Sequence, residues 1–350
     1  MGSEPKPRSC SKESAFPQAK KSFPADGIRQ NPLMKPLLAL LLTAAMIPAN
    51  AEDRKTAGNP IITNIFTADP CPMVHDDRLY IYTGHDEQKE GVKGFVMNDW
   101  RCYSTDNMVD YRDHGALLSA KDFKWAKGDA FASHVIEHKG RFYWFVSIRH
   151  KDIRVHEGFA IGVAVADKPT GPFKDAIGAA LITDKTPNSI VLNIDPAVYI
   201  DDDGQAYLFW GSWNAGRWVK LKDNLTELDG DVRNLEAKNL FEAPFIHKKG
   251  DTYYLTYASH YPSTTEYSIS KSITGPWEYK GVINDLLPKS ETNHQGIVQF
   301  KGNWYFVYHN AQLPGGGVYR RSVCVDKLEF NEDGTIKKIV RTETGVPRVD

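Results

Sequence analysis

A short β-rich segment occurs five times along this chain. The copies begin at Asp69, Ala132, Asp195, Glu242 and Asn293, and each reads as a strand, a tight turn and an aromatic strand. Repeats spaced by roughly 50 residues are typical of a β-propeller with one sheet per repeat. In a propeller, the innermost strands of all repeats begin around the same central axis, so residues at that position meet although they are distant in sequence.

A second series of segments lies between these repeats and supplies the outer strands. They begin at Cys102, Ile161, Arg217 and Tyr267, and each contains a strand before a turn and a short further strand. Two of the turns have the sequence Thr-Gly-Pro followed by Phe or Trp, which suits a tight turn. A tail segment from Tyr319 is expected to form the last outer hairpin. The sequence therefore predicts an all-β, five-bladed propeller with four antiparallel strands per blade, and a β-sandwich is the alternative.

Three of the five repeats open with an acid in the same register. Asp69 and Asp195 each precede a proline, Glu242 precedes Ala-Pro, and His294 occupies the matching place in the fifth repeat. Proline at the start of a strand removes no ladder hydrogen bond. Because the acids share a register, we expect Asp69, Asp195 and Glu242 to converge on one pocket. Clustered carboxylates raise the pKa of at least one member, which gives the proton donor and acceptor that glycoside hydrolysis requires.

The N-terminal fifty residues do not fit the repeat pattern. Residues 1–33 are polar and are interpreted as a disordered or mis-assigned extension. Residues 34–51 combine a basic start, an apolar run and an Ala-Asn-Ala end, which predicts a signal peptide cleaved after Ala51. The apolar run is short for a membrane span, so no stable membrane anchor is expected. The mature domain would be residues 52–350, secreted or periplasmic.

Charge and cysteine content exclude several other classes. The formal net charge is -1, without a basic stripe, so nucleic acid is not an expected partner. Beyond the leader the chain has Cys71, Cys102 and Cys324, an odd number at unrelated spacings. We therefore expect free buried thiols, and the sequence supports no zinc site.

The acidic motifs resemble those of glycoside hydrolase family 43. The resemblance is carried by Thr-Ala-Asp-Pro at 67–70, by the Ile-Asp-Pro segment that continues into Asp-Asp-Asp-Gly at 194–204, and by Glu-Ala-Pro at 242–244. It implies a five-bladed propeller and an inverting enzyme acting on α-L-arabinofuranosides or β-D-xylosides. By motif, Asp69 would be the general base, Glu242 the general acid, and Asp195 the acid that positions Glu242 and keeps its pKa high.

The resemblance also implies a role for His294. In the family a histidine at this motif lies on the propeller axis, often beside a hydrated calcium ion. Imidazole is a poor calcium ligand compared with oxygen, so any calcium here would be held largely through water. No cofactor is expected to be required.

Other candidate sugar-binding residues follow from position. Arg321 lies at the start of a strand and is expected to point inward, whereas strand alternation sends Arg320 to the opposite face. Phe66 and Trp100 are the preferred candidates for an aromatic sugar platform, with Phe131 and Trp213 as further ones. His85 and Asp86 follow the second strand of the first repeat and could line the funnel rim.

The sequence thus predicts an exported glycosidase that removes terminal α-L-arabinofuranosyl residues from an arabinose- or xylose-containing oligosaccharide or polysaccharide. A β-xylosidase or an endo-arabinanase of the same fold is the first alternative. A retaining enzyme on fructosides is disfavoured, because the first acid does not lie in the Asn-Asp-Pro-Asn-Gly segment of such enzymes. A non-catalytic carbohydrate-binding propeller is disfavoured because all three acids are present.

Overall fold

The computed structural model describes residues 52–55 and 58–350. The predicted extension at 1–33 and the predicted signal peptide at 34–51 lie outside this described part. Within it, no helix has both the length and the apolar character needed to cross a membrane. The described chain folds into five antiparallel sheets arranged as a propeller, which confirms the predicted fold class.

Each blade is formed by consecutive strands that run from the innermost strand outwards, except that the first strand of the chain, β1, lies at an outer edge. The first blade contains β1 (Glu52–Lys55), β2 (Phe66–His75), β3 (Arg78–Asp86), β4 (Asp99–Thr105) and β5 (Asp110–Ser119), with β1 paired to β5 at the outer edge. A 3-10 turn at Ala120–Asp122 leads into the second blade, which contains β6 (Ala126–His138), β7 (Arg141–His150), β8 (Phe159–Ala166) and β9 (Lys174–Asp175).

The other three blades follow in chain order. The third contains β10 (Ala197–Ile200), β11 (Ala206–Ser212), β12 (Ala215–Leu221) and β13 (Arg233–Asn234). The fourth contains β14 (Leu240–Lys249), β15 (Thr252–Ser259), β16 (Thr264–Ser270) and β17 (Glu278–Asn284). The fifth contains β18 (Gln295–Phe300), β19 (Asn303–Asn310) and β20 (Ser322–Lys327).

Two blades depart from the predicted four strands. The first has the additional edge strand β1, and the fifth has three strands. The tail segment expected to form the last outer hairpin supplies the third strand, β20, and after it makes only an isolated bridge between Phe330 and Ile336. Its Glu-Asp-Gly turn is present, but the ladder around it is too short to count as a fourth strand.

The core is divided among the blade interfaces. Inner strand β2 contacts β6 and β18, β6 contacts β10, and β14 contacts both β10 and β18, which closes the ring. A separate buried apolar cluster fills each of the five interfaces. In β7, Trp144 packs towards the first blade and Phe145 towards the third. Because a blade is covered on both faces, its middle strands are apolar at successive positions rather than at alternate ones.

The three cysteines of the described chain, Cys71, Cys102 and Cys324, are buried and unbonded, as predicted.

Asn59 connects the two ends of the propeller ring. Its side-chain amide donates to the carbonyl oxygens of Val325 and Thr342 at 3.0 Å each, and its Oδ1 accepts from the Val325 amide at 2.8 Å. Nearby, the amide of Ile61 donates to the Val323 carbonyl at 2.9 Å. These bonds attach the segment before the first blade to β20 of the last blade. The ring is therefore closed by hydrogen bonds and by apolar packing.

We predict that Asn59→Ala lowers the free energy of unfolding by about 2–4 kcal/mol, because it leaves several part-buried backbone groups without partners. Chemical denaturation followed by intrinsic fluorescence would measure this loss. Asn303→Ala is a suitable control, since the Asn303 side chain makes one exposed hydrogen bond, to the Lys301 carbonyl. Equal losses for the two variants would contradict the closing role of Asn59.

Candidate active site

One cavity of about 670 Å³ lies at the end of the propeller where the inner strands begin. Its lining comes from all five blades, so it lies on the axis. The carboxyl side chains of Asp69, Asp195 and Glu242 all line it, together with His294 and Arg321. The three acids, one from each of the first, third and fourth blades, are thus brought together in one site.

The backbone at the acids is unusual for β structure. Asp69 and Asp195 have φ angles of 51° and 59°, and Ala243, next to Glu242, has a φ of 54°. In β2 the pairing register shifts between Ala68 and Cys71, and in β14 it shifts on both sides of Glu242. Such bulges bend the start of a strand and re-aim a side chain. The left-handed residues therefore turn the carboxyl groups out of the sheets and into the cavity.

Asp69 is held by a buried guanidinium. Arg321 Nη1 donates to Asp69 Oδ1 at 2.8 Å, while Arg321 Nε and Nη2 donate to the two oxygens of Asp86 at 2.9 and 3.0 Å. The ring of Phe95 lies 4.7 Å from the guanidinium carbon. Burial by itself would raise the pKa of Asp69, but Arg321 and a hydrogen bond from His309 outweigh it and hold that pKa well below its usual range. Asp69 is therefore ionised.

Glu242 has the opposite environment. Burial raises its pKa to about 7, a hydrogen bond from Ser212 opposes that rise, and the negative charge of Asp69 adds to it. Ser212 Oγ donates to Glu242 Oε2 at 3.2 Å. Burial and the neighbouring Glu242 likewise raise the pKa of Asp195 well above its ordinary value. The two carboxyl groups interact, so at least one of them retains its proton near neutral pH.

Asp195 is fixed by backbone contacts. Its amide donates to Ser147 Oγ at 2.8 Å, and its Oδ2 accepts from the Ala243 amide at 3.0 Å. Because Ala243 directly follows Glu242, Asp195 holds the backbone that carries Glu242. This contact depends on the left-handed conformation of Ala243, which directs its N–H towards the third blade.

Two histidines lie beside the acids. His294 Nδ1 is 4.0 Å from Asp69 Oδ1 and 3.9 Å from Asp195 Oδ2, and burial lowers its pKa to about 4. His309 Nδ1 lies 3.3 Å from Asp69 Oδ1, and its Nε2 lies 3.0 Å from the Thr292 carbonyl oxygen. His294 is therefore neutral at pH 7 and offers a polar contact at the floor of the cavity.

The prediction that Phe66 and Trp100 form an aromatic sugar platform was wrong for both residues. Phe66 does not line the cavity; its ring is covered by the Arg320 guanidinium at 4.3 Å. Trp100 is fully buried between the first two blades and donates from Nε1 to the Phe131 carbonyl at 2.6 Å. The two further candidates, Phe131 and Trp213, do line the cavity.

The predicted rim pair also lies outside the cavity. His85 Nδ1 is 3.2 Å from Asp99 Oδ1, and neither residue lines the cavity. Asp86 is buried behind Arg321 and reaches the site only through that side chain. Both expectations as lining residues were wrong, because His85 is paired with Asp99 of the neighbouring strand and Asp86 is covered by Arg321.

The ligand atoms around His294 do not form a direct metal site. Within the described residues, the one group of three His, Cys, Asp or Glu side chains with ligand atoms within 4.8 Å of one another is His85, Glu87 and Asp99. A calcium ion beside His294 would therefore be held through water molecules rather than by protein ligands.

Several lining residues were missed by sequence reasoning. Phe95, Tyr261 and Tyr319 lie in loops between strands, where no periodic pattern marks them. Ser212 and His309 do not line the cavity but contact Glu242 and Asp69, and sequence reasoning missed them too. Each lies near the end of the second strand of its repeat, so comparing these positions between repeats could have found them.

The axial cavity of this five-bladed propeller holds a carboxylate of lowered pKa and a carboxyl group of raised pKa. This combination is typical of a glycosidase. The chain belongs to the glycosyl hydrolases family 43, whose family model matches residues 57–336. It is therefore a glycoside hydrolase, and the relatives below place it among xylosidase/arabinosidase-type members.

One curated relative, a xylosidase/arabinosidase from Bacteroides ovatus, is 30% identical over 330 residues, covering 81% of this chain and 97% of the relative. A more distant one from Cellvibrio japonicus, described as an extracellular exo-α-(1→5)-L-arabinofuranosidase, is 29% identical over 251 residues, covering 61% of this chain and 69% of the relative.

Two solved structures are similar over nearly their whole length. An α-L-arabinofuranosidase from Clostridium thermocellum is 36% identical with a TM-score of 0.69, covering 82% of this chain and 98% of the other. A β-xylosidase/α-arabinofuranosidase from a compost metagenome, solved with xylotriose in a calcium-free form, is 29% identical with a TM-score of 0.73, covering the same shares of the two chains.

Proposed function

We propose that this protein is an exported, inverting glycosidase that releases terminal α-L-arabinofuranosyl residues from plant polysaccharides or their oligosaccharides. Asp69 acts as the general base and Glu242 as the general acid. The observation that carries the proposal is the different surroundings of these two carboxyl groups within one cavity: the Arg321 guanidinium binds Asp69 at 2.8 Å, whereas Glu242 is bound by the uncharged hydroxyl group of Ser212 at 3.2 Å. An inverting glycosidase needs one carboxylate to activate water and one protonated carboxyl to protonate the leaving oxygen.

Each role follows from the surroundings of its residue. Asp69 is kept ionised by Arg321, so it can accept a proton from a water molecule on one face of the sugar. Glu242 holds its proton near neutral pH and gives it to the glycosidic oxygen on the opposite face. As the bond breaks, water forms the new bond to the anomeric carbon and its proton passes to Asp69, which completes the exchange.

Asp195 is a positioning residue in this scheme. It accepts a hydrogen bond from the amide next to Glu242, and its carboxyl group interacts with that of Glu242, so loss of the last proton from the pair is disfavoured. His294, near both Asp69 and Asp195, and Arg321 would contact hydroxyl groups of the bound sugar. These contacts orient the anomeric carbon between base and acid.

The choice of arabinofuranosides over xylosides as the proposed substrates rests on similarity to known proteins. Among those described above, the solved α-L-arabinofuranosidase has the highest identity, 36%. β-Xylosidase activity is the second candidate, since a similar enzyme named for both activities was solved with xylotriose. An endo-arabinanase of the same fold and a carbohydrate-binding propeller without activity are the remaining alternatives. Hydrolysis of p-nitrophenyl α-L-arabinofuranoside and β-D-xyloside by the purified protein would separate these candidates.

Export is proposed from the leader-like residues 34–51 and is supported by the extracellular relative. N-terminal sequencing of the mature protein from the culture fluid or periplasm would test cleavage after Ala51. The partners expected on this basis are arabinose- or xylose-containing saccharides.

The first prediction concerns pH. Glu242 must be protonated, so kcat/KM should fall about tenfold per pH unit above about pH 7, while Asp69 should impose no matching fall between about pH 4 and 7. In Asp195→Asn no second carboxyl group opposes the loss of the last proton from the interacting pair, so the alkaline limb should move to lower pH. Ser212→Ala removes a hydrogen bond to the carboxylate and should move it to higher pH. Shifts of the same sign in both variants would contradict these assignments.

The second prediction separates acid from base. Glu242→Gln should reduce kcat/KM about 1000-fold on a disaccharide, whose leaving group needs a proton, but less than about tenfold on a dinitrophenyl glycoside. Asp69→Asn should reduce both strongly, because water must be activated for either substrate. Steady-state kinetics on the two substrates measures this. Equal losses in Glu242→Gln would show that Glu242 is not the acid.

The third prediction concerns stereochemistry. If water attacks opposite the leaving group, the first sugar released has the inverted anomeric configuration. Proton NMR of the fresh product, recorded before mutarotation, identifies that anomer. Appearance of the substrate's own anomer would mean a retaining mechanism and would overturn the role given to Asp69.

A further inference from the structure

Three metal-ligating side chains form a cluster beside the active site without lining its cavity. His85, Glu87 and Asp99 place an imidazole nitrogen and two carboxylate oxygens within 4.8 Å of one another. Within residues 52–55 and 58–350, this is the one group of His, Cys, Asp or Glu side chains that meets this distance. The catalytic scheme proposed above uses none of the three side chains.

Strand pairing brings the three residues together. Gly84 of β3 pairs with Trp100 of β4, so their neighbours His85 and Asp99 lie opposite each other. The amide of Glu87 continues this pairing with a 2.8 Å hydrogen bond to the returning chain. Glu87 follows His85 by two residues and therefore projects from the same face. Such a group has no cysteine-rich or histidine-rich spacing, so the zinc motifs sought in the sequence do not include it.

The distances in the cluster suit a small divalent ion. In zinc sites the nitrogen and oxygen ligands lie about 2.0–2.2 Å from the ion, so two ligand atoms at a tetrahedral angle are about 3.4 Å apart. His85 Nδ1 and Asp99 Oδ1 are 3.2 Å apart. The other separations are at most 4.8 Å, and Glu87 is exposed. A side-chain movement of about 1.4 Å or less therefore completes the group.

The carboxylate of Glu87 is held through one of its two oxygens. Asn98 donates to Glu87 Oε2 from its side-chain amide at 2.7 Å and from its backbone amide at 3.1 Å. Carboxylates that ligate metal ions are themselves hydrogen-bonded by outer groups, which fix their orientation. The contact with Asn98 has this character and leaves Oε1 to face a ligand.

The charges of the cluster favour a cation. Asp99 and Glu87 are neighbouring carboxylates on one face of a strand pair, and like charges so placed destabilise a sheet. Arg101 supplies part of the balancing charge from a distance. Its Nη1 is 4.0 Å from Asp99 Oδ1, and its Nη2 is 3.9 Å from Asp113 Oδ1, so the guanidinium is divided between two acids.

An ordinary histidine–aspartate pair elsewhere in the chain has a different third partner. His138 Nε2 is 3.2 Å from Asp223 Oδ1, the same separation as in the cluster, and Lys139 Nζ donates to that oxygen at 2.6 Å. In that pair the protein supplies the cation itself. In the cluster the third side chain is a second carboxylate, and a bound cation would balance it.

We infer that His85, Glu87 and Asp99 bind one divalent transition-metal ion of the zinc type, with water at the remaining position. Nitrogen and carboxylate ligands together suit zinc, whereas calcium prefers a set made only of oxygens. The site is distinct from a water-held calcium ion beside His294. It takes no part in bond cleavage, so it does not depend on the proposed catalytic roles.

Such an ion would brace the loop that lies against Arg321. Residues 88–98 connect two of the three ligands, so the ion would join the two ends of this loop. Within it, the Phe95 ring lies 4.7 Å from the Arg321 guanidinium carbon, and Met97 Sδ is 3.6 Å from Arg321 Nη2. The ion would therefore support the active site through the loop, as a stabilising group.

Equilibrium binding tests the site directly. The purified protein without an affinity tag, stripped with a chelator, is titrated calorimetrically with Zn²⁺ and separately with Ca²⁺. We expect one strong Zn²⁺ site that excess Ca²⁺ does not displace. Asn98→Ala should weaken Zn²⁺ binding about tenfold, and His85→Gln and Glu87→Gln should each weaken it more than about 100-fold, since outer partners alone are worth about 10–100-fold. His138→Gln is the matched control and should bind Zn²⁺ as the wild type does.

Trypsin provides a readout at the loop itself. Lys89 and Lys93 are exposed within residues 88–98. Zn²⁺ at ten times its Kd should slow cleavage after these lysines about tenfold, because cleavage follows the population of the opened loop and the ion binds the closed one. Mass spectrometry identifies the cleaved bonds. Glu87→Gln should show no protection at the same Zn²⁺ concentration, which also excludes inhibition of trypsin by the ion.

Each outcome decides the inference. Zn²⁺ binding lost in the two ligand variants and retained in His138→Gln supports it. A wild type without a strong Zn²⁺ site, or Glu87→Gln binding as tightly as the wild type, overturns it. Asn98→Ala keeps all three ligands and decides the question if a ligand variant does not fold. A protein that cleaves neither arabinofuranosides nor xylosides would remove the proposed function and leave these binding results standing.

Discussion

The site and the closure of the ring depend on one buried ion network. The Arg321 guanidinium comes from the last blade, and the two carboxylates that it binds, Asp69 and Asp86, come from the first blade. A buried arginine without partners would be severely destabilising, so this group can be buried only where the two ends of the ring meet. The amide of Arg321 also donates to Asp86 at 2.9 Å, which fixes the backbone as well as the side chain. Closure of the fold and ionisation of the proposed base therefore rely on the same residues.

The features that could be predicted from the sequence are those that recur in every blade or in several blades. Five inner strands and the shared register of Asp69, Asp195 and Glu242 could be read because each recurs at equivalent places. Phe66 and Trp100 were chosen for their nearness in sequence to strand ends, but a strand alternates its side chains between two faces. In a propeller, neighbouring blades cover both faces of each sheet. An aromatic residue at a strand end therefore packs more often between two blades than against a bound sugar.

The residues that sequence reasoning missed lie where no repeat exists. Phe95, Tyr261 and Tyr319 come from loops of different length, and their positions depend on how each loop folds over the cavity. The missing fourth strand of the last blade has a related cause. The tail after β20 is bound to the first blade by the bond from the Val349 amide to the Asn107 carbonyl, and to Asn59 through the Thr342 carbonyl. These backbone groups are therefore used in ring closure rather than in a fourth strand.

Part of the backbone strain of the propeller lies at the cavity. Asp69, Asp195, Ala243 and Trp213 all have left-handed φ values, although none is a glycine. Each aims a functional group: two carboxyl side chains, an amide that binds Asp195, and an aromatic ring. Substitution by glycine would relieve the backbone but remove the group in three of the four cases. The rest of the propeller, with an apolar cluster at every blade interface, supplies the stability that keeps these conformations populated.

Asp86 explains how one cation can affect two acids so differently. Arg321 lowers the pKa of both Asp69 and Glu242, but it is hydrogen-bonded to Asp69 and is not hydrogen-bonded to Glu242. An uncompensated guanidinium in a buried cavity would act over a long range and would ionise Glu242 as well. The bidentate contact with Asp86 offsets that charge, and its effect on Glu242 is smaller than that of burial, which raises the Glu242 pKa. Asp86 lies outside the cavity, yet it allows a base and an acid to coexist within it.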